Sequence, residues 1–205
     1  MSKGISFFHP ASLIATCFGI GKIPFAPGTF GTIFGVVLII ILTFLPQYGF
    51  FDKSLLLAVF AICTVLLSFW GWWAAEVYSK ATGSKDPKEV VIYEVAGIFL
   101  TATLIAVCYV PLLAYDPERF ARLLVVSPYY LLVGFLLFRV FDITKLWHVG
   151  IVERKFDGGF GIMIDDLVAA IYAAIAFYLI FFFFVFSGLF RKIFYIYYPH
   201  LAGFV

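Results

Sequence analysis

Five uninterrupted apolar runs divide this chain, at residues 30–46, 54–78, 95–114, 123–141 and 167–186. No Asp, Glu, Lys or Arg stands in the middle of any of them. A helix needs about 17–25 apolar residues to cross the hydrocarbon core of a bilayer, so all five reach spanning length, the first only just. Apolar residues make up 64% of the 205 and charged residues 13%, about half the share in an ordinary soluble domain. A water-soluble fold of this size could not bury so much apolar surface. The expectation is therefore one all-α domain, residues 1–205, built as a polytopic membrane helix bundle of about five transmembrane helices. A sixth run, 12–20, is too short to span and is expected to form a short N-terminal interfacial or re-entrant helix. The aromatic tail 190–205, with Arg191 and Lys192, is expected at an interface.

Other signals narrow the class. A net charge of +2 gives no indication of a nucleic-acid partner. Cys17, Cys63 and Cys108 lie singly in apolar stretches, without a CxxC, and read as packed thiols rather than a disulfide framework or zinc site. The first residues carry no signal-peptide pattern, so the spans themselves are expected to direct insertion.

Five spans alternate sides, which sorts the polar segments into two faces. Segments 19–29, 79–94 and 142–166 share one face, with Lys22, Lys80, Lys85, Lys88, Arg139, Lys145, Arg154 and Lys155. The other face has Lys53, Arg119, Arg122, Arg191 and Lys192. The excess of basic residues places the first face in the cytoplasm. Nine of the 12 carboxylates fall on that same face, among them Glu94, Asp142, Asp165 and Asp166. Several abut or enter spans, where acids are costly and usually paired, metal-bound or functional.

Four segments on this face can carry chemistry. Residues 138–145 read Phe-Arg-Val-Phe-Asp-Ile-Thr-Lys, and a helix there puts Asp142 and Lys145 on one side. That pair suits one metal ligand and one phosphate contact; the alternative is a helix-end ion pair. Residues 158–166 combine Gly158 and Gly159, whose N–H groups could cradle an anion, with Asp165 and Asp166. Adjacent helical side chains diverge by about 100°, so one acid of that pair could orient the other, and N-capping is the alternative use. Glu94 opens an apolar run with no basic residue in the four positions after it, and a cation is the economical partner; the alternative is a protonated or interface-facing Glu. Residues 19–32 are rich in glycine, with Lys22 and Thr29 able to meet phosphate oxygens; the alternative is a rigid helix start capped by Thr29.

Taken together, Pro27-Gly28-Thr29 with Gly31, the stretch from Asp86-Pro87 to Gly97, residues 138–145 and residues 158–166 resemble the phosphatidylglycerophosphatase A family of bacterial lipid phosphatases. The resemblance covers roughly residues 19–170. It implies Mg²⁺-dependent hydrolysis of phosphatidylglycerophosphate to phosphatidylglycerol and phosphate, in the bacterial cytoplasmic membrane with the active site facing the cytoplasm. It implies Glu94, Asp142, Asp165 and Asp166 as metal ligands, with Glu94, Asp142, Asp166 and Lys145 catalytic. Lys145, Arg139, Thr29, Lys22, Gly158 and Gly159 would meet substrate. Two positions depart from the family pattern: Tyr93 stands where an Asp is common, and Leu146-Trp147-His148 where Pro-Trp-Pro is usual. Tyr93 makes a disabled, lipid-binding or assembly member the alternative reading.

The residues agree with this chemistry. Phosphomonoesters hydrolyse extremely slowly without catalysis, and the transferring group needs its charge neutralised. Hard carboxylate oxygens suit Mg²⁺. No Cys-x₅-Arg loop and no Asp-x-Asp-x-Thr nucleophile motif is present. Attack by metal-activated water is favoured, and an aspartyl phosphate on Asp142 or Asp166 stays open. A transporter would place acids at mid-membrane on several helices, and these spans have none there.

Overall fold

The computed structural model describes residues 5–107, 128–144 and 159–186. Among these residues every regular element is helical. In chain order they are α1 (Pro10–Ala15), α2 (Pro27–Phe44), α3 (Leu56–Thr82), α4 (Ile92–Val107), α5 (Pro128–Thr144) and α6 (Gly159–Phe186), with short 3₁₀ turns at Ile20–Lys22, Leu45–Tyr48 and Lys53–Leu55.

Helix α4 is the axis of the bundle. It packs against α2, α3, α5 and α6 and is buried nearly all round. The surrounding helices have the opposite arrangement. Their outward positions are large and apolar, such as Ile33 and Val37 on α2, Val65 and Phe69 on α3, and Leu179 and Phe183 on α6. Their inward positions are often small or hydroxylated: Thr32, Gly35 and Thr43 on α2, Thr64 and Gly71 on α3. Thr64 and Thr103 meet side chain to side chain at 3.0 Å between α3 and α4. Buried threonines such as Thr43 and Thr101 return their hydroxyls to the carbonyl four residues back. Apolar surface outside and hydroxyls inside is the distribution that lipid selects, because hydrocarbon gains nothing from sequestering leucines but penalises every unsatisfied polar group.

Three helices are long and apolar enough to cross a membrane: Pro27–Tyr48 (α2 with its 3₁₀ extension), Leu56–Thr82 and Gly159–Phe183. This is a membrane protein. Helix α4 has 16 residues, about 24 Å at 1.5 Å per residue, and stops short of the ~30 Å core within the described residues. The continuation of that run, Cys108, the loop 115–122, Lys145, Gly158 and the tail 190–205 lie outside the described residues.

Local chemistry sets the helix boundaries. Helix α2 starts three residues before its apolar run, at Pro27, because Ala26 turns left-handed (φ +45°) and proline suits the first helical position. Thr29 therefore lies inside the first turn and does not cap it. Helix α3 ends on Gly83, left-handed at φ +74°, whose N–H closes on Ser79. The N-terminal helix is shorter than the apolar run 12–20. It starts at Pro10, with the His9 ring accepting from the Ala11 N–H at 3.2 Å, and stops at Ala15 because Cys17, Phe18 and Gly19 all adopt positive φ. The Val91 N–H then donates to Ala15 at 2.9 Å, tying this turn to the start of α4.

Candidate active site

The chain brings the start of α2, the end of α3, the start of α4, the end of α5 and the start of α6 to one end of the bundle. Gly28 on α2 makes room there for Glu94 on α4: a Cβ at Gly28 would run into Glu94 Oε1 and would stand 3.4 Å from Arg139 Nη1 on α5. Glu94 Oε2 is sealed from solvent and has no hydrogen-bond partner among the described residues. Arg139 binds Asp142 one turn further along α5. Its other contacts are long, to the Thr29 hydroxyl at 3.4 Å and the Thr32 hydroxyl at 3.5 Å. Asp166, 7% exposed, comes from α6; it is hydrogen-bonded to Asp142 and lies in the charge field of Glu94 and Arg139.

Three carboxylates from three helices, Glu94, Asp142 and Asp166, thus converge on one guanidinium. Among the described residues, one guanidinium faces three carboxyl groups, too little charge to neutralise all three as carboxylates. Two carboxyl groups in hydrogen-bond contact need a proton or a cation between them. Among the described residues no three His, Cys, Asp or Glu side chains form a ready-made metal cage. Mg²⁺ does not require one, because it keeps several waters and is usually held by one or two carboxylates together with substrate phosphate. The unpartnered Glu94 oxygen and the Asp142–Asp166 contact fit such an open site.

The other candidate residues lie at varying distances from this cluster. Asp165 is 2% exposed and turned about 100° around α6 from Asp166. Both acids sit in the second turn of α6, too deep to cap it. The Gly159 N–H donates to the Glu76 carboxylate Oε2 on α3 at 3.0 Å. Lys22 holds its ammonium 4.5 Å over the Phe7 ring. Lys145 and Gly158 lie outside the described residues.

Two acids at this end were given no site role by sequence reasoning. Glu76, paired with Lys80 at 3.0 Å, stitches α3 to the first residue of α6. Sequence marked it only as an acid near the end of a span, and no local pattern could reveal a partner 83 positions away. Asp86, exposed in the loop before α4, lies in the electrostatic field of both Tyr93 and Glu94. Tyr93 itself is 2% exposed, and its hydroxyl has no hydrogen-bond partner among the described residues. That hydroxyl would touch a Cβ on Gly159 at 2.8 Å, so it lies beside the Glu76–Gly159 link. Burial pushes the Cys17 thiol up to about 12, with the Glu94 charge adding to the rise, which leaves this cysteine inert and shows how near the turn before α2 comes to the acids.

Known proteins are similar to this chain in sequence. The chain matches the phosphatidylglycerophosphatase A family over residues 13–181, a span that contains every member of the acid cluster. A Bacteroides thetaiotaomicron protein provisionally named phosphatidylinositol-3-phosphatase is 37% identical over 164 residues, 80% of this chain and 88% of that protein. The phosphatidylglycerophosphatase A of Haemophilus influenzae is 34% identical over 173 residues, 84% of this chain and 90% of the relative. That of Escherichia coli is 28% identical over 166 residues, 81% of this chain and 80% of the relative. No solved structure matches.

Proposed function

Because the chain belongs to the phosphatidylglycerophosphatase A family, we propose that it is the lipid phosphatase that removes the terminal phosphate of phosphatidylglycerophosphate, leaving phosphatidylglycerol and inorganic phosphate. The observation that carries this reading is the convergence of Glu94, Asp142 and Asp166 beside Arg139 at one end of a lipid-facing bundle. We read that bundle as five spans, with α4 and α5 completing the three long ones, in a bacterial cytoplasmic membrane. The excess of basic residues on the acid-bearing face supports a site open to the cytoplasm.

The cluster supports Mg²⁺ as the cofactor, held by Glu94, Asp142 and Asp166, with Asp165 behind them. When bound, the ion would clamp phosphoryl oxygens and lower the pKa of a coordinated water. The chain's own groups do the rest. Arg139 keeps Asp142 in place and, through Thr29 and Thr32, anchors α5 to the first turn of α2. A proton held between Asp142 and Asp166 could pass to the glycerol oxygen as its bond to phosphorus breaks and water bonds to phosphorus in its place. Lys145, three residues after Asp142 in the sequence, is the proposed contact to a phosphate oxygen. Gly28 lets Glu94 lie flat against α2, which keeps the carboxylate in the cluster.

The test is phosphate release by the purified full chain in phospholipid vesicles. Release from phosphatidylglycerophosphate is expected with Mg²⁺ and is expected to vanish in excess chelator; equal rates in both would remove the metal from the mechanism. Phosphatidylinositol 3-phosphate belongs in the same assay, because the relative with 37% identity is provisionally named for that headgroup. Release from neither lipid would support the disabled-member reading. Tyr93→Asp adds a carboxylate beside Glu94. It is expected to lower the Mg²⁺ concentration for half-maximal rate; no change would mean that Glu76 and Asp86 already supply the charge.

A further inference from the structure

Helices α2 and α3 each pack on α4 and scarcely touch one another. The gap between them is a furrow with a cavity volume of about 510 Å³. Its floor is one stripe of α4, Ile92, Val95 and Phe99, at the three- and four-residue spacing of a single helical face. Its walls include Leu38 of α2 and Leu67 of α3, and its lining is wholly apolar. Another cavity among the described residues, around Thr43 and Thr101, is only about 20 Å³ and takes no ligand of this size.

Two features distinguish the furrow from a chance gap between lipid-facing helices. The first is its rim. Cys17 and Phe18, which close the upper end, hold consecutive left-handed conformations at φ +47° and +58°. Non-glycine residues rarely adopt this region, and such strain concentrates at ligand clamps and functional sites. The turn buries Cys17 to 2% exposure while leaving Phe18 71% exposed beside the opening. The second is its position. Ile92 and Val95 bracket Glu94 in the first turn of α4, so the apolar floor and the acid cluster begin at the same level on adjacent faces of one helix.

We infer that the furrow between α2 and α3 binds an acyl chain of the lipid whose phosphate reacts at Glu94, Asp142 and Asp166. The inference rests on the lipid-phosphatase reading. A phospholipid's headgroup and tails are covalently joined, so a phosphate held at the cluster must send its chains away from that point. The furrow starts there and runs along the spans toward mid-membrane. From Leu38 to Leu42, or from Leu67 back to Cys63, it offers apolar wall at successive turns of both helices.

The experiment has two arms. In the first, the unaltered full chain is placed in phosphatidylethanolamine–phosphatidylglycerol vesicles doped with phosphatidylglycerophosphate carrying a diazirine on one acyl chain. Illumination is expected to attach the probe to furrow residues of α2, α3 and α4. Labels spread evenly over the outer faces of α2, α3 and α6, or crosslinks to a second copy of the chain, would overturn the inference. In the second arm, Leu38→Trp and Leu67→Trp fill the furrow. Each is expected to raise KM for the diacyl substrate about tenfold, as steric changes in apolar pockets do, while leaving hydrolysis of the deacylated headgroup phosphomonoester unchanged. Val65→Trp, on the outer face of α3, should change neither. Equal loss on both substrates, or none, would reject the furrow as the tail site. Crosslinking needs no turnover. Furrow labelling without phosphate release would therefore sink the enzymatic reading, and release with scattered labelling would sink the furrow.

Discussion

Asp166→Asn is expected to lower phosphate release by about 10²–10³-fold, the loss typical of removing one preorganised charge-stabilising group. Asn keeps the shape of the side chain and can still hydrogen-bond Asp142. It removes one negative charge from a buried group of three, so the bundle should melt in detergent no lower than the unaltered chain. With Asp166 a Mg²⁺ ligand as proposed, the remaining activity should need more Mg²⁺, because a lost ligand weakens metal before it abolishes chemistry. Asp142→Asn separates the two roles differently. It should match the loss of turnover and also destabilise the fold, because it breaks the pair with Arg139. Breaking a buried ion pair costs about 3–5 kcal/mol, and with 14% and 15% of the two side chains still exposed the low end of that range applies. Wild-type turnover in Asp166→Asn, measured as phosphate release from vesicles, would remove Asp166 from the site.

Gly97→Val is the second large effect, and it acts through packing alone. Gly97 lies on α4, three residues beyond Glu94. A Cβ there would stand 2.5 Å from Phe138 Cζ on α5 and 3.3 Å from the Asp166 carbonyl on α6. Phe138 is fully buried and cannot swing away, so one of the helices must move. Overpacking of this kind costs about 1–3 kcal/mol, visible as a lower melting temperature in detergent. The displaced helices carry Asp142 and Asp166, and a misplacement of about 1 Å can lower a rate about 10²-fold. Turnover should therefore fall much further than stability, with Gly97→Ala between the two. A variant that melted normally and turned over normally would show that α4, α5 and α6 do not need this close approach.

The helices and their shared acidic end were legible because a bilayer demands long apolar runs and alternation then fixes which loops meet. Glu94, Asp142 and Asp166 could be picked out singly, since each is a carboxylate placed where a solvated loop does not need one. Their mutual arrangement could not. Sequence spacing set Asp142 beside Lys145, which lies outside the described residues; it did not single out Arg139, one turn earlier, as an ion-pair partner of Asp142. Both spacings are permitted on a helix, and only the hydroxyls of Thr29 and Thr32 on α2 decide where the guanidinium lies. Gly159 resembled part of an anion cradle because glycine pairs often are, but its N–H is taken by Glu76, a contact between helices that no local pattern encodes. Lys22 was grouped with the acids by loop, yet the turn at Cys17 and Phe18 leaves its ammonium over Phe7.

Asp166 lies seven residues into α6 from Gly159, about 10 Å along the helix axis. For the proposed reaction, that depth sends the two products into different phases. Phosphatidylglycerol keeps its tails and can drift sideways into the bilayer without leaving hydrocarbon. Inorganic phosphate carries a charge that hydrocarbon excludes, and its way out runs back past Arg139 to water. Once the two have parted, reversal would need both to return by separate routes at the same moment. A recessed cluster therefore separates the exits of the two products, while the direction of the reaction is set by its free energy and by the concentrations of water and phosphate.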